Sequence, residues 1–214
     1  MRADRGFVIA LLGAESTGKT TLALALREAL AVQRRSVVVV PEYLREFCDR
    51  NQRTPRPDEQ LSIANEQTRR VEAAARSHEL VIADTTALMI AVYSDQVFGD
   101  TSLYPGAERD HARCDLTLLT ALDLAWQSDG LQRDGPHVRE PVDARVRAAL
   151  GRAGSGYSVV FGAGASRLAA ALASVQRALN SPRTESDAGN ARWHWHCERC
   201  GDANCERHAL LPRP

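Results

Sequence analysis

The chain places GAESTGKT (13–20) between an apolar run, FVIALL (7–12), and a run of good helix formers, KTTLALALREALAV (19–32). Glycines at both ends of such a loop let the backbone wrap so that several N–H groups point inward. A helix that starts there adds its partial positive charge. The pattern G-x-x-x-x-G-K-T between a strand and a helix therefore reads as a phosphate cradle. Its expected nucleotide-binding residues are Gly13, Glu15, Ser16, Thr17, Gly18, Lys19, Thr20 and Thr21. Lys19 would reach the β- and γ-phosphates of ATP, and the Thr20 hydroxyl would ligate Mg²⁺. For Thr21, plain helix surface is the competing reading.

Such a loop demands strands and helices in alternation, and the rest of the chain supplies them. SVVVV (36–40), ELVIAD (79–84), CDLTLLT (114–120) and YSVVFG (157–162) read as four further strands, short and apolar. Helical patterns cover about 58–78, 85–99, about 140–152 and about 165–180. Asp58 is the expected N-cap of the first of these, after the Pro-rich TPRP (54–57). The strands lack in–out alternation, as strands covered on both faces do. The prediction is an α/β P-loop NTPase fold, a doubly wound five-stranded parallel sheet. The domain spans 1–180, a linker 181–192 and a Cys/His-rich tail 193–214.

Charge excludes one class of function. Lys and Arg total 27, and so do Asp and Glu, so the net charge is zero. No basic field recommends nucleic acid as a partner. No run approaches the roughly 20 apolar residues of a membrane span. FVIALL is too short for a secretory leader. A cytoplasmic protein is expected, and the isolated Cys48 and Cys114 read as buried or inert.

A bound nucleotide needs chemistry beside it. Asp84 ends the apolar strand LVIAD, where a carboxylate can hold Mg²⁺. Capping the next helix is its alternative role. Thr85 follows where an ATPase that activates water often has glutamate, which favours a kinase. A kinase needs a base for the acceptor hydroxyl. Glu42, just after the second strand in VVVVPEYLREF, is placed for that. Asp84 is the competing base, and a solvated helix start is the plain reading of Glu42. The segment DGLQRDGPHVRE carries Arg133 and Arg139 beside Gly130 and Gly135. These read as lid arginines that neutralise the transferring phosphoryl group.

GAESTGKTTLA, PEYLREF, IADTT, CDLTLLT, DLAWQSDG and FGAGASR follow one another in this order. Together they resemble the nicotinamide riboside kinase domain of the NadR NAD-biosynthesis proteins and its stand-alone ATP-binding relatives. The resemblance covers about residues 7–180. It implies transfer of the ATP γ-phosphate to the 5′-hydroxyl of nicotinamide riboside. It also implies that Glu42, Arg45, Trp126 and Asp129 contact the substrate, and that Gly162 and Arg167 lie near the adenine. Asp84 matches the first aspartate of the family's Asp-Thr-Asp. The chain departs from the family at Thr86, where Asp is usual, and at Pro41, where an aromatic residue would stack on the nicotinamide. Phe98 is the candidate for one face of a ring sandwich, or else a packed helix residue.

The tail holds Cys197-x2-Cys200-x4-Cys205-x2-His208. Three thiolates and an imidazole at this spacing make a structural Zn²⁺ set, with His194 or His196 as alternative fourth ligands. The competing reading is a set of cysteines gathered by chance. A zinc knuckle here would dock on a protein partner or on the domain itself through Trp193 and Trp195. That leaves a second function to weigh: an ATP-binding switch with slow hydrolysis and a partner-binding tail.

Overall fold

FVIALL forms the first strand, β1 (Phe7–Leu12), and all six of its residues are buried. In the computed structural model the residues described are 5–32, 36–127 and 135–180. β1 is the middle strand of five, in the order β2-β3-β1-β4-β5, with β2 at Val37–Val40, β3 at Leu80–Asp84, β4 at Leu116–Thr120 and β5 at Ser158–Val160. Every pairing is parallel. The register sets Leu11 opposite Asp84 and Leu12 opposite Leu119. The predicted five-stranded parallel sheet is therefore present.

Both sheet faces are covered, which is why the strands lack alternation. Phe7, Ile9 and Leu11 pack with α1 (Lys19–Ala31) and α7 (Gly164–Asn180) through Leu22, Leu26, Ala171 and Val175. Leu12 faces the other way. It joins a core of Ile63, Leu88, Met89, Val142, Val146 and Leu150 from α3 (Gln60–Ser77), α4 (Ala87–Phe98) and α6 (Arg139–Arg152). Each such Leu, Ile or Val stabilises the fold by roughly 1.5–3 kcal/mol when fully buried. α4 is apolar all round at its start, ALMIAV, because α3, α5 (Tyr104–His111) and α6 surround it.

One helix, α5, was not expected from the sequence, and another, α2 (Tyr43–Asn51), only as the plain reading of Glu42 as a helix start. α2 buries only Cys48. It is held from outside, by Arg70 stacked 4.3 Å above the Tyr43 ring and paired to Glu46. α5 carries Pro105 and Gly106 in its first turn. Proline is tolerated in a first helical turn because its missing N–H has no intrahelical partner there.

Other boundaries moved for local reasons. The N-terminal cap of α3 differs from expectation: a 3-10 turn (Pro57–Glu59) precedes it, and Glu59, not Asp58, accepts the Arg56 N–H at 2.7 Å. β4 begins at Leu116 because Asp115 is used otherwise, accepting the Val8 N–H at 2.8 Å and pairing with Arg5 at 2.9 Å. α4 begins at Ala87, capped by the Thr86 hydroxyl, so Asp84 is not its cap. Residues 181–214 lie outside the described residues, and with them the linker and the proposed zinc ligands Cys197, Cys200, Cys205 and His208. Among the described residues no helix is long and apolar enough to cross a membrane.

Candidate active site

The loop after β1 is shaped by its neighbours on β4. Gly13 has φ 148°, and a Cβ there would meet the Thr120 hydroxyl at 2.0 Å. That hydroxyl lies 3.1 Å from the Leu12 carbonyl and 2.7 Å from the Thr17 hydroxyl, which itself donates to the Ala14 carbonyl at 2.8 Å. Ser16 and Gly18 both take left-handed φ, 54° and 74°. These reversals curl the loop so that α1 starts at its mouth. Gly18 caps α1 without a side-chain bond, and the first turn has no acidic residue. The helix start is thus built for an anion. Lys19 arches over the loop, its Nζ 2.9 Å from both the Gly13 and Ala14 carbonyls. Glu15 and Thr17 are buried, and Thr21 is exposed on α1.

Asp84 stands at the end of the neighbouring strand. It is 2% exposed, and its Oδ2 accepts the Thr20 hydroxyl at 2.5 Å. Its Oδ1 is buried with no partner among the described residues. Burial pushes its carboxyl above the usual range, and nearby Glu42 adds to this; the Thr20 hydroxyl, Lys19 and Arg45 pull the other way. A hydroxyl and a carboxylate, both hard oxygen donors, fit Mg²⁺, which keeps most of its shell as water and phosphate oxygen. Among the described residues no group of three or more His, Cys, Asp or Glu is gathered to hold a metal by itself.

A second carboxylate stands where β2 leads into α2. Val40 pairs with Ala83, so the chain leaves β2 beside Asp84 and reaches Glu42 two residues later. Glu42 is the N-cap of α2, but its carboxylate caps nothing. It turns instead to Arg45, whose Nε donates at 2.9 Å. Thr85 follows Asp84 with φ 77°, a left-handed conformation rare for a β-branched residue. Such strain costs on the order of 1–3 kcal/mol and gathers at functional sites.

A third set closes the loop from the side of β4 and β5. Arg167 is 4% exposed and donates to the Thr17 carbonyl (2.8 Å), the Gly162 carbonyl (2.8 Å) and Asp123 (3.1 Å). Asp123 also accepts the Gly162 N–H at 2.5 Å. Gly162 and Arg167 thus brace the phosphate loop. Gln127 donates its N–H to the Ser16 hydroxyl at 2.8 Å, which sets Trp126 beside the loop. The Trp126 Nε1 is buried without a hydrogen-bond partner among the described residues. Arg139 is buried at the start of α6; its Nη1 holds the Leu124 carbonyl at 2.9 Å, and its Nε and Nη2 lack partners among the described residues.

Lys19, Thr20, Asp84, Glu42 and Arg45 are brought together. Phe98 is not: it is 39% exposed at the last position of the 12-residue α4, roughly 16 Å along the axis from that helix's start. Asp129 and Arg133 lie outside the described residues. Sequence reasoning missed Asp123, Thr120 and Gln67. An aspartate just past the end of the fourth strand was the available signal for the first.

The AAA domain family matches residues 8–175, nearly all of the described domain. The chain belongs to that family. No curated protein matches it. Among solved structures, a NadR protein in complex with NR shares the fold at a TM-score of 0.70 and 21% identity, covering 85% of this chain and 53% of that one. A NadR protein in complex with NAD and AMP-PNP has a TM-score of 0.65 at 20% identity, covering 84% and 51%. The resemblance to NadR read from the sequence is thus met by a likeness of fold. This AAA-domain chain spans about half the length of each of those proteins.

Proposed function

We propose that this chain is an ATP-dependent phosphotransferase acting on the hydroxyl of a small nucleoside, with nicotinamide riboside as the first acceptor to test. The observation that carries this reading is the meeting of two carboxylates with different surroundings at the ends of adjacent strands. Asp84 is buried against Thr20, on the phosphate side. Glu42 is paired with Arg45, on the acceptor side. The folds carrying NR and AMP-PNP in the NadR structures support the choice of ligands.

The roles divide accordingly. The 13–20 amides and Lys19 bind the phosphates. Thr20 and Asp84 would hold Mg²⁺, which when bound neutralises charge on the phosphates. Glu42 accepts the proton of the acceptor hydroxyl, and Arg45 keeps its carboxylate aimed. The acceptor oxygen bonds to the γ-phosphorus as the bridging bond to ADP breaks. Arg139, and Arg133 from the adjoining segment, contribute positive charge to the phosphoryl group in flight. Trp126 and Asp129 are the proposed contacts to the acceptor's base and ribose. The tail cysteines and His208 remain a proposed structural Zn²⁺ set.

The test is ADP release from Mg²⁺-ATP against a nucleoside panel. Stimulation by nicotinamide riboside alone establishes that acceptor despite Pro41 and Thr86. Stimulation by another nucleoside keeps the transfer and changes the acceptor. ATP binding with no stimulation by any nucleoside overturns the reading and favours the switch.

A further inference from the structure

Gln67 is wholly buried on α3, far from the loop in sequence and unused by the roles above. Its side-chain amide has two partners. The Oε1 accepts the Tyr43 N–H at 2.8 Å, and the Nε2 donates to the Thr85 carbonyl at 3.3 Å. Tyr43 is the residue after Glu42, and Thr85 is the residue after Asp84. One amide therefore joins the backbone just past one carboxylate to the backbone just past the other.

We infer that Gln67 is a positioning residue that sets the separation and aim of Glu42 and Asp84. This rests on the proposed phosphotransfer for its effect on rate, and on geometry alone for the tie itself. The amide's orientation is fixed by its partners, because a flip would set donor against donor and acceptor against acceptor. Tyr43 opens α2, so its N–H belongs to the helix start and has no intrahelical acceptor. Thr85 is held on its other side by its own N–H, which donates to the Leu11 carbonyl at 3.1 Å. Gln67 thus grips the left-handed Thr85 turn from α3 while β1 grips it from the sheet. Without that grip the turn is free to relax toward an ordinary φ, and the Asp84 side chain would swing with it. No charged group could do the same work in this buried position without disturbing the neighbouring carboxylates.

Among the described residues the Gln67 amide bonds Tyr43 and Thr85 and not the 13–20 loop, so its loss should separate binding from turnover. A displacement of about 1 Å at a reacting group can cost on the order of a hundredfold in rate. The experiment compares the wild type with Gln67→Met, which keeps the shape and loses both hydrogen bonds, and Gln67→Glu, which keeps only the acceptor. Three quantities are read below the melting temperature: kcat for acceptor-stimulated ADP release, the Kd for Mg²⁺-ATP, and hydrogen exchange at the Tyr43 amide. Gln67→Met is expected to lower kcat roughly a hundredfold, leave Kd within about threefold, and speed Tyr43 exchange at least tenfold. Gln67→Glu is expected to keep the Tyr43 protection while still losing turnover. Unchanged kcat, or a Kd that worsens as much as kcat falls, overturns the inference. Should the Met variant not fold, Gln67→Asn, whose shorter amide adds no charge and cannot span both backbone groups, decides by the same kcat and Kd criteria. Should the wild type show no acceptor-stimulated turnover, the proposed function fails, and Tyr43 exchange in the variants still accepts or rejects the tie.

Discussion

Gly13 has no room for a side chain, because the Thr120 hydroxyl occupies the place where one would go. Gly13→Ala is expected to destabilise the fold by about 1–3 kcal/mol through overpacking. Thr120→Ala in the same chain should recover part of that loss, which denaturation of both single variants and the double variant would measure. Lys19→Ala and Asp84→Asn should each lower phosphoryl transfer by roughly a hundredfold or more, with the far-ultraviolet spectrum unchanged. Retained turnover in both would remove the site. At this scale the sequence was legible where function forces a local pattern. The loop from Gly13 to Thr20, Asp84 at a strand end and Glu42 after a strand could be read as they stood. Thr120 could not, and Asp123 offered only its place past a strand end, because their meaning comes from Thr17 and Arg167, 103 and 44 residues away. Gln67 reads in sequence as one more polar position on a helix, and only its burial shows what it holds.

The elements carry a pH dependence. His111 closes α5 against the sheet: its Nδ1 is 3.1 Å from the Thr86 hydroxyl and its Nε2 2.9 Å from the Thr117 hydroxyl. Burial depresses its imidazole to about 4. The unfolded chain, with a histidine pKa of about 6.5, takes up that proton first. Stability from this group is therefore complete above about pH 6.5 and falls by about 1.4 kcal/mol per unit between there and about pH 4. Urea denaturation of the wild type from pH 7.5 to 4.5 should show that slope, and His111→Gln should lack it. Thr86 serves both this histidine and the cap of α4, so Thr86→Ala should cost about 1 kcal/mol or more by thermal or chemical denaturation. The strands were legible because continuous apolar runs have few alternatives. α5 was not, and α2 only as a helix start at Glu42, since each is short and polar and owes its helix to partners on other elements. In α5 the partners are Thr86 and Thr117; in α2 they are Arg70 and Gln67.

At the scale of the whole molecule, the described domain closes its core with residues up to Val175 on α7. A chain cut after Asn180 is accordingly expected to bind Mg²⁺-ATP as the full chain does, checked by calorimetry on both. Zinc content measured in the full chain and lost on cutting would place the metal on Cys197, Cys200, Cys205 and His208; a metal-free full chain would remove that proposal. The phosphate side is carried by the central strand, whose residues are all buried. The proposed acceptor side is carried by β2, an edge strand with three of four residues half-buried, and by α2 with one buried side chain. That arrangement makes the two halves unequal in their tolerance of change. Substrate preference can drift along the margin of the sheet while the nucleotide half stays intact. The tie at Tyr43 survives such drift because it grips backbone, which every residue but proline offers. On the proposed function, the share of acceptor choice held by residues 41–53 can thus be rewritten without touching the nucleotide half.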